Sequence, residues 1–220
     1  MRPDVLIGRG DDCAVLEAGK KLCVSTDLLL EDRHFRVAYF TPGEIGHKAL
    51  AVNISDLAAM GARPACFTLG LALPAWVGCA WLDSFFQGMA ETAATHGMQL
   101  VGGDIAASDK IGISITAMGE KQDGSSLLLR GGLMPGDILF LVGDIGLARI
   151  GLQELEKSGR AALQEWPAAC AAHLRPNPQV SAGLMLARAG YNARPPVVMD
   201  VSDGLAADLP RLLRHGPFGA

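Results

Sequence analysis

The sequence predicts a mixed α/β or α+β fold, on three observations. Segments with apolar residues at helical spacing alternate with short apolar or two-residue-period runs. Half of the 220 residues are hydrophobic, 19% are charged and the mean hydropathy is +0.26, so the chain can bury a sizeable core and is neither disordered nor collagen-like. Gly and Pro punctuate the pattern: Pro42 and Gly43 open one helical stretch, Gly61 and Gly97 close two, and Gly131, Gly132, Pro135 and Gly136 cluster before a fresh apolar run.

In chain order, Val15–Leu16 and Leu22–Leu29 read as strands. Glu44–Met60 follows as a helix, with Ile45, Ala49, Val52, Ala59 and Met60 at helical spacing. Cys66–Leu73 is a strand, and Ala75–His96 is a helix with Leu82, Phe85, Phe86, Met89 and Ala93 on one face. The run Pro64–Leu82 has no charge over 19 residues, but Pro74 divides it into a strand and a helix rather than one membrane span. Met98–Val101 and Ile111–Glu120 are strands; in the second, Ile111, Ile113, Ile115 and Ala117 alternate with smaller or polar residues. A domain boundary is expected near Arg130–Gly136, dividing the chain into 1–132 and 133–220. The second unit would hold a strand at Ile138–Val142, a helix after Gly146, a polar bridge at Arg175–Pro178, a helix near Ser181–Ala189, a strand at Val197–Met199 and a last helix after Gly204. With 88 residues (220 − 132) and no closing strand, it reads as incomplete.

Nineteen Lys and Arg against 23 Asp and Glu give a net charge of −4, which offers no basic field for nucleic acid or an anionic membrane. Five cysteines, Cys13, Cys23, Cys66, Cys79 and Cys170, form no C-x-x-C pair and read as buried small hydrophobes in a reducing compartment. Met1–Gly10 carries no charged-then-apolar signal, so a cytoplasmic location is expected.

The acidic residues are uneven: 15 Asp stand against 8 Glu. Several sit where an element meets a loop. Gly10-Asp11-Asp12 precedes a strand, Ser25-Thr26-Asp27 interrupts one, Gly102-Gly103-Asp104 follows one, and Asp200-Val201-Ser202-Asp203-Gly204 joins a strand to a helix. Asp56 lies on the apolar stripe of its helix, where an unsatisfied carboxylate would cost several kcal/mol. Taken singly, each is better read as a cap or a buried ion pair. Taken together, they form a hard-oxygen set, with Ser and Thr nearby and no His or Cys in the same turns, which suits Mg²⁺ bridging to a phosphate chain. No P-loop, Rossmann, protein-kinase or nucleophile-elbow motif occurs. His34 is open to a ligand role or a capping role. Arg130 is open to a phosphate clamp or a solvated strand end.

The succession Gly10-Asp-Asp-Cys-Ala-Val, Ser25-Thr-Asp with His34-Phe35, Lys48-Ala-Leu-Ala-Val-Asn-Ile-Ser-Asp-Leu-Ala-Ala-Met-Gly-Ala62, Gly102-Gly-Asp and Asp200-Val-Ser-Asp-Gly-Leu205 resembles the thiamine-monophosphate kinase family, from about Gly8 to Leu209. The Lys48–Ala62 block is its most specific part. The resemblance implies a two-domain architecture like that of aminoimidazole ribonucleotide synthetase, with the second domain incomplete and the N-terminal domains paired as a homodimer. It implies a magnesium set of Asp12, Ser25, Thr26, Asp27, Asp56, Asp104, Asp200 and Asp203. Gly103, Asp104, Arg130 and Ser202 would contact ATP, and His34 the substrate. The activity implied is ATP-dependent phosphorylation of thiamine monophosphate to thiamine diphosphate. The alternatives are another enzyme of the superfamily, selenophosphate synthetase-like or hydrogenase maturation factor-like, or a non-catalytic ATP- and metal-binding dimer.

Overall fold

The computed structural model describes residues 5–7, 11, 13–189 and 194–214. Six strands make one sheet: β1 (Val5–Ile7), β2 (Ala14–Ala18), β3 (Lys20–Leu30), β4 (Arg63–Leu73), β5 (Gln99–Ala107) and β6 (Gly112–Glu120), in the order β1-β2-β3-β6-β4-β5. Every pairing is antiparallel except β4 with β5. A parallel pair needs a crossover connection. Helix α2 (Cys79–His96) provides it, ending on a left-handed Gly97.

β6 runs between β3 and β4, and its alternation decides the two faces. Asp27, Ile115 and Leu69 share one register row, and Leu29, Ile113 and Leu71 another. Four of those residues are isoleucine or leucine on β6 and β4, all fully or almost fully buried beneath the helices, and each such side chain contributes about 1.5–3 kcal/mol. The intervening row, Leu28, Ser114, Gly70 and Asp104, belongs to the other face. There Leu28 is 54% exposed.

Helix α1 (Pro42–Ala59) lies on the covered face with α2. Its start is fixed by a capping box: the Glu44 amide donates to Thr41 Oγ1 at 3.3 Å and the Thr41 amide to Glu44 Oε2 at 2.8 Å. The two helices cross in backbone contact. A Cβ at Gly46 would lie 2.1 Å from the Phe85 carbonyl oxygen, and one at Gly88 2.0 Å from that of Gly43.

The later residues add helices α3 (Leu147–Ser158), α4 (Ala162–Glu165), α5 (Pro167–Leu174), α6 (Val180–Ala189) and α7 (Leu205–Leu213). Helix α6 packs on α1 so closely that a Cβ at Gly183 would lie 2.0 Å from the Ala58 carbonyl oxygen. At the other end of α1, Lys48 Nζ donates to the His173 carbonyl at 3.2 Å and stands 5.1 Å from the Phe40 ring centre, while His47 Nε2 meets the Pro176 carbonyl at 2.9 Å. Burial pushes the Lys48 ammonium down to about 8, and burial followed by Lys48's charge pushes His173 down to about 4. Helix α1 is thus held by the sheet and by α2, α5 and α6.

Several expected elements differ. Ile138–Val142 forms no strand, and its five residues are 49% to 82% exposed. A strand needs a partner backbone for its amides and carbonyls, and among the described residues none pairs with this run. Val197 makes only a parallel bridge to Leu129, so Val197–Met199 is not a strand. The helix expected from Ala75 begins at Cys79, because Val77 closes a turn onto the Pro74 carbonyl at 3.0 Å and Gly78 takes the N-cap. Ser25-Thr26-Asp27 does not interrupt its strand, and Gly102-Gly103-Asp104 lies inside β5 rather than after it. The five cysteines are all free, but Cys79 is exposed at the first turn of α2 and Cys66 is half-buried. The uncharged run Pro64–Leu82 is a strand, a turn and the start of a helix; no described helix is long and apolar enough to cross a membrane.

Candidate functional site

Two groups of sequence-predicted residues come together, on different kinds of scaffold. The first is built by β3 and α1. The Ser25 hydroxyl donates to Asp56 Oδ2 in a very short hydrogen bond. Strand β2 starts at Ala14 opposite Val24, and three residues farther along β3 the Asp27 amide donates to Asn53 Oδ1 at 3.2 Å. Asn53 is fully buried and anchored through Nδ2 to the Ala49 carbonyl at 2.9 Å. Asn53 and Asp56 are one helical turn apart, so both project from α1 toward β3. Burial raises the Asp27 pKa above the usual carboxylate range, and the nearby His34 offsets part of that rise.

His34 stands in the turn after β3. Its Nδ1 accepts the Leu30 amide at 2.9 Å, so a neutral ring carries its proton on Nε2. Thr26 points from the neighbouring row, where its hydroxyl pairs with Thr116 at 2.9 Å.

The second group surrounds the loop before α7. Arg130 Nη2 lies 3.9 Å from Asp200 Oδ1, and the Arg130 amide donates to Asp11 Oδ2 at 3.3 Å. The Val198 amide donates to the Leu129 carbonyl at 3.1 Å, which lays the segment before Arg130 against the segment before Asp200. Asp11 also bears on β3: burial first, and then the Asp11 charge, raise the buried Cys23 thiol to about 12. Asp203 pairs with Arg211 Nη1 at 2.5 Å, and the Ser202 side chain is exposed.

The remaining expectations are placed otherwise. Asp12 lies outside the described residues. Asp104 sits on β5, three strand spacings from Asp27 across β6 and β4, or roughly 14 Å. It is also in the alternate row, and its Oδ1 accepts the Ile105 amide at 2.9 Å. Within one chain Asp104 therefore does not join Asp27 and Asp56, because the crossover through α2 sends its strand to the sheet edge. Gly103 has a packing requirement of its own, since a Cβ there would lie 2.0 Å from the Leu69 carbonyl oxygen. Among the described residues, no three His, Cys, Asp or Glu side chains gather closely enough to hold an ion.

Two residues of these groups, Asn53 and Asp208, were not singled out in the sequence, and a third, Asp11, was named in its acidic turn without a role of its own. Asn53 was signalled by a polar residue on the buried stripe one turn before Asp56. Asp11 was signalled by its place in the same motif as Asp12. Asp208, in the first turn of α7, had no signal beyond its position.

Residues 10–120 match the family described as AIR synthase related protein, N-terminal domain. The chain belongs to the AIR synthase-related family. Within it, the thiamine-monophosphate kinase of Mycobacterium tuberculosis (strain ATCC 25618 / H37Rv) is 38% identical over 206 residues, covering 93% of this chain and 59% of that relative. Among solved structures, a ThiL complexed with AMPPCP and TMP is 32% identical, with a TM-score of 0.84 over 94% of this chain and 64% of that one. Thiamine-monophosphate kinase from Stenotrophomonas maltophilia K279a is 38% identical, with a TM-score of 0.79 over 97% of this chain and 67% of that one. These likenesses place the chain in the thiamine-monophosphate kinase branch of the family. It spans roughly three fifths to two thirds of the length of the curated relatives it matches.

Proposed function

We propose that this protein is a thiamine-monophosphate kinase, transferring the γ-phosphoryl group of ATP to the phosphate of thiamine monophosphate. The observation that carries this reading is the Ser25, Asp27, Asn53 and Asp56 cluster at the β3–α1 contact, in a chain 32% identical to a ThiL solved with AMPPCP and TMP. In the reaction an acceptor phosphate oxygen attacks the γ-phosphorus in line, the bond from that phosphorus to the bridging oxygen breaks, and ADP leaves with the bridging oxygen's electron pair. The acceptor is already an anion, so no strong general base is needed, and catalysis rests on positioning and charge neutralisation.

The donor set fits Mg²⁺. It consists of hard oxygens, and Mg²⁺ is usually held by one or two carboxylates together with substrate phosphates rather than by an all-protein cage. Asp27 and Asp56 would hold it with Ser25 beside them, Asp12 would add a further carboxylate, and Asp200 and Asp203 would serve further ions, whereas the Thr26 hydroxyl is turned to the other face of β3. Bound there, the ion neutralises the carboxylates against the phosphate chain. Arg130, Ser202 and Gly103 would contact the nucleotide, and the outward Nε2–H of His34 the thiamine phosphate. Residues 1–132 would form the ATP-binding and dimerising domain and 133–220 part of a second domain, in a cytoplasmic homodimer to which Asp104 contributes from the edge strand.

The test is incubation of the protein expressed from its whole gene with ATP, Mg²⁺ and thiamine monophosphate. Thiamine diphosphate should appear with ADP in equal amount, and should stop on chelation of the metal. Magnesium-dependent nucleotide binding with no product would leave only the non-catalytic binding reading.

A further inference from the structure

We infer that Asp208 is a positioning residue for the loop Asp200–Gly204, and that Arg211 is the cation that occupies Asp203 until a ligand replaces it. The inference deepens the kinase reading and rests on it, since Ser202 and Asp203 are the loop residues assigned to ATP and metal.

Asp208 is 2% exposed, in the first turn of α7. A carboxylate buried to that degree is costly unless its oxygens are satisfied. Here one oxygen, Oδ2, accepts both the Ser202 amide at 3.1 Å and the Asp203 amide at 2.9 Å. The other, Oδ1, accepts Arg211 Nη1 at 2.8 Å.

Local structure explains why this residue must reach back. The N-cap of α7 is Gly204, which has no side chain to bind a free amide. A carboxylate one turn into the helix can reach back past this bare cap and is favoured there by the helix dipole. It grips not the helix itself but the two residues before the cap. With their amides turned inward onto Asp208, Ser202 and Asp203 leave their side chains exposed, as residues meant for a phosphate or an ion must be.

Arg211 completes the device. Its Nη1 touches both Asp208 and, at 2.5 Å, Asp203 Oδ2. Asp203 would give up the guanidinium if its carboxylate were to hold a divalent ion, and Arg211 would keep its pairing with Asp208. The loop is therefore held in shape and the exposed aspartate kept neutralised by two residues that need not touch the substrate.

Asp208→Ala, Asp208→Asn and Arg211→Met separate the parts. In metal-free protein, hydrogen exchange of the Ser202 and Asp203 amides should speed up strongly in Asp208→Ala and less in Asp208→Asn, which keeps one acceptor oxygen. The affinity for a non-hydrolysable ATP analogue with Mg²⁺ should fall about tenfold in Asp208→Ala, the scale seen when an outer partner of a metal ligand is lost, with KM for thiamine monophosphate unchanged. Arg211→Met should bind Mn²⁺ more tightly than wild type. Unchanged exchange at 202 and 203, or a lower melting temperature with unchanged analogue affinity, overturns the positioning role. Weaker or equal Mn²⁺ binding in Arg211→Met overturns the role of the arginine. If Asp208→Ala does not fold, Asp208→Asn decides both readouts. Wild-type protein that binds no analogue defeats the kinase reading, whereas the exchange rates still judge the grip of Asp208 on its loop.

Discussion

The β3–α1 cluster and the loop before α7 present aspartates by opposite means. In the first, position comes from secondary structure: Ser25 and Asp27 stand at fixed places on an eleven-residue strand, and Asn53 and Asp56 one turn apart on a helix held on several sides. In the second, no regular element carries Asp200, Ser202 or Asp203, and side chains do the holding, through Arg130, Asp208 and Arg211. A site carried on packed elements shares its stability with the whole fold. A loop site can be altered with little effect on folding. Substitutions that disturb α1 should therefore be felt throughout the molecule, and those in the loop only in ligand binding.

The largest effect is expected at the first cluster's ligands. Asp56→Asn should lower the rate of phosphoryl transfer about a hundredfold or more, with an unchanged circular dichroism spectrum; a near-normal rate would remove Asp56 from the site. Next comes the scaffold. Gly46→Ala drives a Cβ into the Phe85 carbonyl oxygen and should cost about 1–3 kcal/mol in urea unfolding. An unchanged midpoint would show that α1 is less tightly seated than its contacts indicate.

The pH dependence of stability tests the joint that seats α1. His173 titrates near 4 in the fold and near 6.5 when unfolded. The unfolded chain therefore takes up the proton first on acidification, and stability falls from about pH 6.5 toward 4. His173→Gln should flatten that part of the melting-temperature profile. Asp27 has the opposite sign. Its folded pKa is raised by burial, so its favourable contribution is present below the ordinary carboxylate pKa and lost as pH rises through the folded value. Asp27→Asn should melt above wild type at pH 7 in the absence of metal, with the gap closing toward pH 4. The smallest effect belongs to the loop: Asp203→Ala removes one partner of an exposed ion pair and should leave the melting temperature unchanged. A clear drop there would erase the contrast between the two scaffolds.

Much of the fold was legible because its signals are local. The spacing of Ile45, Ala49, Val52 and Ala59 marks α1, and the alternation through Ile113, Ile115 and Ala117 marks β6. Ile138–Val142 shows where this stops. It is more apolar than β6, yet β6 has a strand on each side and Ile138–Val142 has none among the described residues. Apolarity measures readiness to be buried, while a ladder requires a second backbone. At the site, the acidic motifs were legible by type and spacing, and so was the need for something to satisfy Asp56. That the partner is the Ser25 hydroxyl, and that Asn53 holds the Asp27 amide, depends on α1 crossing β3 at one particular height.

Residue chemistry along the chain was enough to set the helices and strands of the sheet-bearing part, the hard-oxygen character of the acidic turns and the likeness to phosphate-transferring relatives, because propensity, period and donor type belong to each residue and its near neighbours. Which aspartates meet was settled by strand order and helix crossing. The parallel crossover carries Asp104 to the sheet edge, three strands from Asp27, while the α7 cap turns Asp208 back under Ser202 and Asp203. Distances between residues far apart in sequence follow from how elements pack, and packing is a property of the assembled chain.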